Sequence, residues 1–345
     1  MLSDLSMVGW DETFAAAYHP FDRSDSMPGR VLRVDRGVCT VLDGTGVSRA
    51  TLAGSVLLGA AQDPARLPCA GDWVVLRRWP GRRTTVEGVL PRRTTLIRRT
   101  ADKDSSGQVL AANMDTVAVV EPMHPAPDDA RVERLLALAW ESGAQPVVLL
   151  SKADTAPDPQ AIARQFARLA PDVPVLPVSV PRGDGLDAVR ELVAPGRTLA
   201  LLGRSGAGKS TLVNALAGAA VMGVQEIRRP DGKGRHTTAY RNLVLVPGGG
   251  AVLDTPGIRG VGLLDTGAGL DRAFADLADL AATCRFGDCR HDAEPGCAIT
   301  AAIADGSVSP RRLESWRRLH REVEVESARR SARLAEAAGR RRRRP

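Results

Sequence analysis

The sequence has no long apolar run, and none of its hydrophobic stretches approaches the roughly 18 residues that a membrane-spanning helix requires. The acidic first 29 residues also lack the basic and then apolar pattern of a secretory signal. A hydrophobic fraction of 43% is ordinary for globular cores and argues against global disorder. We therefore expect a cytoplasmic, monomeric protein with two or three domains in its 345 residues and no membrane partner.

Lysine is scarce, because the chain contains 43 Arg and only 4 Lys. The basic residues concentrate in two flanking regions: residues 30–99 hold 13 Arg and 5 acidic residues, and residues 311–345 hold the same numbers. Residues 100–310 carry a net charge of −5. A bias toward arginine does not explain this placement. Two basic flanks around an acidic middle indicate contact with a polyanion such as nucleic acid.

Cysteine is also infrequent, with five residues in the chain. Three of them, Cys284, Cys289 and Cys297, lie close together in the sequence and surround His291. In a cytosolic chain such clustering favours metal binding over disulfides. Three thiolates and one imidazole complete a tetrahedral set, so we predict one structural Zn²⁺ here. Unbonded thiols are the alternative.

Short apolar stretches broken by turns characterise residues 30–108. Residues 31–34 and 38–41 flank Asp35-Arg36-Gly37 in a hairpin pattern, and residues 73–76 are a further strand. Several short strands without helical periodicity favour an OB-like β-barrel, a fold that commonly binds nucleic acid. A basic surface without a specific ligand is the alternative. The preceding residues 1–29 are predicted to be a flexible N-terminal extension.

Strands alternate with helices from residue 109 to residue 265, and this alternation predicts a parallel, doubly wound sheet. The predicted strands span residues 116–120, 147–150, 173–178 and 199–202, and the predicted helices span residues 129–141, 162–169 and 186–193. Ligands of such sheets bind at the carboxyl ends of the strands. Each motif described below follows an apolar strand, as that rule requires.

A phosphate-binding P-loop is the most specific motif. It reads Gly203-Arg204-Ser205-Gly206-Ala207-Gly208-Lys209-Ser210 and is followed by Thr211. Backbone N–H groups of such a loop surround the phosphates of a nucleotide. We expect Lys209 to reach the β- and γ-phosphates, Ser210 to bind Mg²⁺, and Thr211 to lie near the α-phosphate.

Ser151-Lys152-Ala153-Asp154 matches a guanine-reading motif. Asp154 can accept hydrogen bonds from guanine N1–H and the exocyclic amine, a donor pair that adenine lacks. Ser151 stands where GTPases usually have Asn or Thr, so we expect weaker base binding. Ser179-Val180 follows the next strand and resembles the segment whose backbone contacts guanine O6. These motifs predict GTP and GDP as ligands.

Asp254-Thr255-Pro256-Gly257 follows the P-loop by about 43 residues. We expect Asp254 to hold Mg²⁺ through water and the Gly257 N–H to bind the γ-phosphate. The base-reading motif therefore precedes the P-loop, whereas an ordinary small GTPase has the reverse order. This order is that of a circularly permuted GTPase.

The segment between the P-loop and Asp254 has the composition of a switch. It contains Gly232-Lys233-Gly234-Arg235-His236-Thr237-Thr238. Thr238 is the preferred second Mg²⁺ ligand, with Thr237 as the alternative. Ile258 stands where a water-orienting Gln often follows Asp-x-x-Gly, so His236 is the predicted catalytic substitute, acting with Lys209. A packing or RNA-contacting role for His236 is the alternative.

Together these motifs resemble the RsgA family, also called YjeQ or YloQ. The resemblance rests on the barrel, the permuted core, Gly-Arg-His-Thr-Thr, Asp-Thr-Pro-Gly and the segment Cys289–Cys297. It covers most of residues 30–325, and Ser151, Val180 and the arginine-rich end depart from it. The family implies a GTPase that binds the small (30S) ribosomal subunit and its rRNA, acts late in that subunit's assembly, and is stimulated by it.

The expected architecture is therefore an OB-like barrel over residues 30–108, a circularly permuted α/β P-loop GTPase domain over residues 109–265, and a helical zinc-binding domain over residues 266–339. Residues 310–339 are predicted to be one long helix, and residues 340–345 a separate arginine-rich tail. A non-enzymatic RNA-binding protein with a vestigial nucleotide site is the main functional alternative. An ATP-dependent factor and a permuted GTPase acting on the large subunit are two others.

Overall fold

A computed structural model describes residues 4–98, 108–222, 242–255 and 267–342, which form two compact units. The first unit contains the described residues up to Asp128 and those from Ser142 to Thr255. The second unit contains Asp129–Glu141 and the described residues from Gly267 onward. The predicted domains differ from these units in two ways: the barrel and the GTPase sheet share one unit, and residues 129–141 belong with the C-terminal helices.

Five strands close the predicted OB-like barrel in the order β1-β2-β3-β5-β4. Their bounds are β1 Ser26–Asp35, β2 Val38–Asp43, β3 Gly46–Leu52, β4 Trp73–Arg78 and β5 Thr84–Val89. β1 pairs with both β2 and β4, and β3 runs parallel to β5, so the sheet has no open edge. Alternate side chains such as Val31, Val41 and Leu76 fill the interior.

The flexible extension predicted for residues 1–29 is wrong for residues 4–29. They form a 3-10 turn, helix α1 (Glu12–Tyr18) and the start of β1. Phe14 and Tyr18 are buried against Trp73 and other barrel residues. Asp11 caps α1 by accepting the N–H groups of residues 13 and 14. A cluster of aromatic side chains orders the segment, although its composition is acidic.

A six-stranded sheet completes the first unit in the order β10-β9-β8-β11-β13-β12. Helix α2 Gly54–Gln62 lies between β3 and β4 of the barrel. The elements of the first unit after the barrel are β6 Thr95–Arg98, β7 Gln108–Ala112, β8 Thr116–Pro122, β9 Gln145–Ser151, α4 Pro159–Leu169, β10 Val175–Val178, α5 Leu186–Glu191, β11 Thr198–Leu202, α6 Lys209–Ala217, β12 Asn242–Leu245 and β13 Ala251–Asp254. All neighbouring strands are parallel except β12, which runs antiparallel to β13. The predicted doubly wound core is confirmed.

The barrel and the sheet are joined by Arg30, a fully buried cation of β1. Its guanidinium donates to the backbone oxygens of Val8 and Asn113 and, at 2.9 Å, to Oγ1 of Thr198 in β11. It also lies 5.1 Å from the centroid of the Trp73 ring. Burial lowers the pKa of Arg30 to about 10, so it stays charged at neutral pH. These contacts explain why the barrel and the sheet form one unit, although a domain boundary was predicted between residues 108 and 109.

The second unit consists of helices. Their bounds are α3 Asp129–Glu141, α7 Ala268–Ala273, α8 Ala275–Ala282, α9 Ala298–Ala304 and α10 Pro310–Arg342. α3 and α7 approach closely at Gly269, where a Cβ atom would lie 2.4 Å from the carbonyl oxygen of Ala137. The Gly269 N–H donates to Glu141 at 3.0 Å. This close packing places α3 with the C-terminal helices.

Helix α10 confirms the predicted long C-terminal helix but extends beyond it. The hydroxyl of Ser309 accepts the N–H of Arg312 at 3.3 Å and caps the first turn. The helix continues to Arg342. The prediction of a separate tail is therefore wrong for residues 340–342, which belong to the helix. Residues 343–345 lie outside the described range. Among the described residues, no helix has both the length and the apolar character needed to span a membrane.

Candidate nucleotide site and metal cluster

Four of the predicted motifs meet at the carboxyl ends of neighbouring strands. Ser151 ends β9, Ser179 follows β10, Gly203 follows β11, and Asp254 ends β13. These strands lie in one sheet and run parallel, so their carboxyl ends share one edge. The permuted order of motifs therefore leads to a single site.

The P-loop follows β11 closely and continues into α6. Gly203 has a φ of 156°, and a Cβ atom there would lie 2.3 Å from the Val120 carbonyl oxygen. Gly208, with a φ of 90°, directly precedes α6. Both positions favour glycine, because their φ values are positive and a side chain at Gly203 would clash with Val120. Without side chains there, the loop backbone can fold tightly enough for its N–H groups to surround an anion. Arg204, Ser205, Gly206, Ser210 and Thr211 are each at least partly accessible, whereas Ala207 is buried.

Ser151 links the base-reading motif to the P-loop. Its hydroxyl donates to the carbonyl oxygen of Ala207 at 2.6 Å. The shorter side chain of serine therefore still reaches the loop, and its role here is to connect two loops. Lys152 adopts a left-handed backbone conformation with φ 56°, and Ala153 is buried. This turn leaves Lys152 and Asp154 partly exposed at the edge of the sheet.

The carboxylate of Asp154 is held by Ser179. The fully buried Ser179 hydroxyl donates to Asp154 Oδ1 at 2.7 Å. Val180 packs partly against the sheet core beside it. A carboxylate already oriented by a buried hydroxyl loses little freedom when it accepts hydrogen bonds from a base.

Lys209 and Asp254 are two buried ionisable residues of the site, and each influences the pKa of the other. The Lys209 ammonium donates to the carbonyl oxygens of Gly203 at 2.9 Å and Arg204 at 3.0 Å. Burial lowers the pKa of Lys209, and the Asp254 carboxylate opposes this effect. Burial likewise raises the pKa of Asp254, and Lys209 opposes that change.

Asp254 has the features of a residue that awaits a ligand. Its Oδ1 atom is buried and has no hydrogen-bond partner within the described part of the chain. Such an orphaned carboxylate oxygen is costly unless an ion, water or substrate satisfies it. With the hydroxyl of Ser210, it offers the oxygen ligands that Mg²⁺ prefers. The residues present therefore fit a magnesium ion bound with a nucleotide.

Three predicted site residues, His236, Thr238 and Gly257, lie outside the described residues. The switch over residues 232–238 lies there as well. Their predicted roles in positioning water, binding Mg²⁺ and contacting the γ-phosphate stay predictions.

Two residues of this region have contacts that the motifs did not predict. Arg182 donates to the Asp154 carbonyl oxygen at 3.3 Å, and its N–H donates to the Ser179 hydroxyl. The buried Thr255 hydroxyl donates to the Leu201 carbonyl oxygen at 2.6 Å and ties the end of β13 to β11. Arg182 lies in the loop that follows Ser179, and this position was the only hint in the sequence that it belongs to the site. Thr255 lies inside the Asp-x-x-Gly motif.

The second unit brings the three predicted cysteines and His291 together. Their ligand atoms all lie within 4.8 Å of one another. Zn–S bonds of about 2.3 Å place two ligands of a tetrahedral site about 3.8 Å apart. The Sγ atoms of Cys284 and Cys297 are 3.9 Å apart, and His291 Nδ1 lies 3.5 Å from the first and 3.6 Å from the second. These spacings fit Zn²⁺, and Nδ1 is the nearer imidazole nitrogen.

The surrounding backbone supports the cluster. Cys297 precedes α9, and its Sγ accepts the N–H of Thr300 at 3.4 Å. Burial opposes ionisation of Cys297, but hydrogen bonds from Thr300 and His291 outweigh it and lower the pKa of the thiol to about 6, whereas burial and the neighbouring thiols raise the pKa of Cys289 to about 11. Arg317 donates to the His291 carbonyl oxygen at 2.7 Å. A ligand that ionises near neutral pH and a fixed loop are both suited to a closed metal site.

Known proteins resemble this chain over most of its length. The family model described as RsgA GTPase matches residues 89–264. A relative from Streptomyces coelicolor, named small ribosomal subunit biogenesis GTPase RsgA, is 53% identical over 323 residues, which covers 93% of this chain and 87% of the relative. A relative of the same name from Streptomyces avermitilis is 49% identical over 329 residues. The match covers 94% of this chain and 87% of the relative.

Solved structures share the fold. The crystal structure of YjeQ from Thermotoga maritima has a TM-score of 0.64 at 24% identity and covers 86% of this chain and 98% of its own. The structure of YloQ, described as a circularly permuted GTPase, has a TM-score of 0.59 at 20% identity and covers 88% and 96%. These likenesses agree with the permuted architecture.

Proposed function

Because this chain belongs to the RsgA family of GTPases, we propose that it hydrolyses GTP to GDP and phosphate while assisting late assembly of the small ribosomal subunit. The observation that carries the proposal is the meeting of the base-reading motif and the P-loop, joined by the Ser151 hydroxyl and the Ala207 carbonyl oxygen. The names of both Streptomyces relatives state the biological role.

The proposed chemistry is phosphoryl transfer to water. Asp154, held by Ser179, selects guanine, while Lys209 and the P-loop N–H groups stabilise charge on the β- and γ-phosphates. Lys209 would exchange its two carbonyl acceptors for phosphate oxygens when a nucleotide binds. Ser210 and Asp254 would hold Mg²⁺, which neutralises phosphate charge.

The switch residues complete the proposal. His236 is proposed to orient the attacking water, and Thr238 to join the Mg²⁺ ligands when GTP is bound. The Gly257 N–H would contact the γ-phosphate. Without a Gln after the Asp-x-x-Gly motif, hydrolysis by the free protein should be slow. Small-subunit rRNA would then accelerate it by ordering the switch.

A turnover assay tests this function. GTP hydrolysis is measured for the protein alone, with purified small subunits and with large subunits. We expect small subunits to raise kcat many-fold and large subunits to leave it unchanged, with Lys209→Ala as the inactive blank. Equal rates in all three conditions would overturn the proposal. Tighter binding of ADP than of GDP would refute guanine selection by Asp154.

The role of His236 has its own test. His236→Ala should lose most of the subunit-stimulated turnover and keep GDP affinity, because the proposed role concerns water and not the base. Full stimulated activity in this variant would remove His236 from the mechanism. Thr238→Ala and Thr237→Ala, compared for the Mg²⁺ concentration that hydrolysis requires, would identify the metal ligand of the switch.

We also propose that Cys284, Cys289, His291 and Cys297 bind one structural Zn²⁺. Four protein ligands leave no position for water, so the ion would stabilise the second unit and take no part in catalysis. Metal analysis should find one zinc per chain, and Cys289→Ser should release it. Retention of the full zinc content by this variant would contradict the site.

The cellular location and the oligomeric state of the chain are also part of the proposal. A protein that acts on small ribosomal subunits works where they are assembled, so we propose a cytoplasmic location. We also propose an active monomer, because the described base-reading, phosphate and metal motifs meet at the edge of a single sheet. Sedimentation at assay concentrations should give the mass of one chain, and a stable dimer would contradict this part.

A further inference from the structure

Trp79 presents an aromatic ring in a fixed orientation on the barrel surface. It directly follows β4, and it is 40% exposed. Its Nε1–H donates to the Oγ1 atom of buried Thr85 at 2.8 Å. The guanidinium carbon of Arg77 lies over the ring, 4.0 Å from its centroid. The ring is therefore held at its edge and on one side, while the residue as a whole stays 40% exposed.

The residues that hold Trp79 are themselves held. Arg77 forms an ion pair with Asp25 at 2.7 Å, which fixes the guanidinium beside the ring. The Trp79 N–H donates to the Arg83 carbonyl oxygen at 2.8 Å and closes a short loop over residues 79–83. An exposed ring whose rotamer is already fixed loses little side-chain entropy when it binds a partner.

One cation in the loop of this ring, Arg83, remains available to a ligand. Most described arginines of the barrel are engaged with acidic groups, as Arg78 is with Asp43 and Arg92 with Asp72. Arg83 is exposed and forms no ion pair among the described residues, and it lies in the same loop as Trp79. Arg36 and Arg49 of the barrel share these two properties. A fixed ring with an unpaired cation in the same loop suits a ligand with both flat bases and phosphates.

We propose that Trp79 is a stacking platform for one unpaired base of an RNA strand and that Arg83 contacts an adjacent phosphate. This inference rests on the proposed function, because it names a residue through which the barrel would hold rRNA. Every base has a π-face, so stacking on Trp79 requires no particular sequence. A docked apolar protein segment fits less well, because the Arg77 guanidinium covers one side of the ring and the exposed Arg83 lies in the same loop.

The first test compares variants that separate stacking from simple apolar contact. Trp79→Leu keeps an apolar side chain without a π-face, and Trp79→Phe restores a ring. Phe21→Ala is the matched control, because Phe21 is 45% exposed and has no cation over its ring within the described residues. Binding to a short, fluorescently labelled oligoadenylate is measured by anisotropy at fixed salt.

The expected losses follow from the strength of stacking. Base–aromatic stacking contributes about 1–3 kcal/mol, so Trp79→Leu should weaken oligoadenylate binding roughly 5- to 150-fold. Trp79→Phe should recover most of the loss, and Phe21→Ala should bind as the parent does. Arg83→Ala should lower the salt dependence of binding by about one phosphate contact. Oligoadenylate should also quench tryptophan emission in the parent and much less in Trp79→Phe.

Several results would overturn the inference. They are unchanged binding by Trp79→Leu, an equal loss in Phe21→Ala, no recovery in Trp79→Phe, and no binding of oligoadenylate by the parent. GTP turnover separates this test from that of the proposed function. Stimulation of the parent by small subunits combined with unchanged binding by Trp79→Leu refutes the platform alone. The expected binding losses without any stimulation refute the ribosomal role alone.

Discussion

At the scale of single residues, Ser151 joins two loops of the nucleotide site through one hydroxyl. Ser151→Ala would leave the buried carbonyl oxygen of Ala207 without its 2.6 Å donor. A lost hydrogen bond of this kind costs about 0.5–1.5 kcal/mol, so GDP affinity should fall roughly 2- to 13-fold. Calorimetric titration with GDP measures the change. Ser55→Ala, at an exposed serine of α2, is the control and should match the parent.

Asp254 illustrates how function opposes stability at one residue. Its pKa is raised by burial, so the folded state of the nucleotide-free protein disfavours the charged carboxylate. A raised carboxyl pKa means that ionisation lowers the free energy of unfolding as pH rises. Asp254→Asn should therefore unfold at a higher temperature than the parent at pH 7 and should fail to hydrolyse GTP.

The pH dependence provides the control for this prediction. As pH falls through the raised pKa of Asp254, the parent carboxyl becomes protonated, and the difference in melting temperature between the two proteins should shrink. Melting curves without nucleotide or Mg²⁺, recorded from neutral to mildly acidic pH, measure it. A melting temperature of Asp254→Asn below that of the parent at pH 7 would show that the charge pair with Lys209 stabilises the fold.

At the scale of elements, α3 and α10 are joined by a buried ion network. Glu133 of α3 accepts hydrogen bonds from Arg311 at 2.8 Å and Arg312 at 2.9 Å. Arg312 also forms a two-point ion pair with Asp276 and lies 4.6 Å from the centroid of the Phe274 ring. Glu133 and Arg312 are both almost fully buried.

Breaking this network should destabilise the second unit. Removing one partner of a buried ion pair costs about 3–5 kcal/mol, because the other charge stays buried. Arg312→Ala should lose free energy of unfolding in this range in urea denaturation. Arg318→Ala removes an exposed arginine from the same helix and should stay within about 0.5 kcal/mol of the parent. Equal effects of the two variants would show that the network contributes little.

The same elements explain what the sequence could predict. Helix α3 was predicted with its observed bounds, and the strands after it within a few residues, because apolar periodicity is a local signal. The membership of α3 in the second unit depends on residues far along the chain, namely Gly269 of α7 and the Arg311 and Arg312 partners of Glu133. The order of residues 4–29 depends on Phe14 and Tyr18 packing against Trp73, a tertiary contact within an acidic segment.

The candidate site shows a similar division. The P-loop, Asp154, Asp254 and the cysteine cluster could be named because their spacing reflects phosphate, base and metal chemistry. The contacts of Ser151 with Ala207 and of Arg182 with Asp154 could not be predicted, because they depend on how separate loops approach each other. From the sequence alone, Ser151 was expected to weaken base binding. The structure shows that its hydroxyl reaches the P-loop at Ala207.

At the scale of the whole molecule, the chain passes between the two units three times. It leaves the first unit after Asp128, returns at Ser142, and leaves again after β13. The returning segment leads directly into β9, which ends at the base-reading motif. Along the chain, α3 therefore lies between β8 and β9, and removing it would interrupt the connection between these two strands.

Truncation should therefore fail at the predicted domain boundary. A chain ending at residue 265 keeps α3 but lacks α7, which packs on it at Gly269, and lacks both arginine partners of Glu133. We expect it to bind more of a hydrophobic dye and to melt at a lower temperature than the full chain. A chain ending at residue 330 keeps Arg311, Arg312 and the Glu322 partner of Arg134, and should melt near the parent temperature. If the two truncated chains melted alike, α3 would be stable without the C-terminal helices.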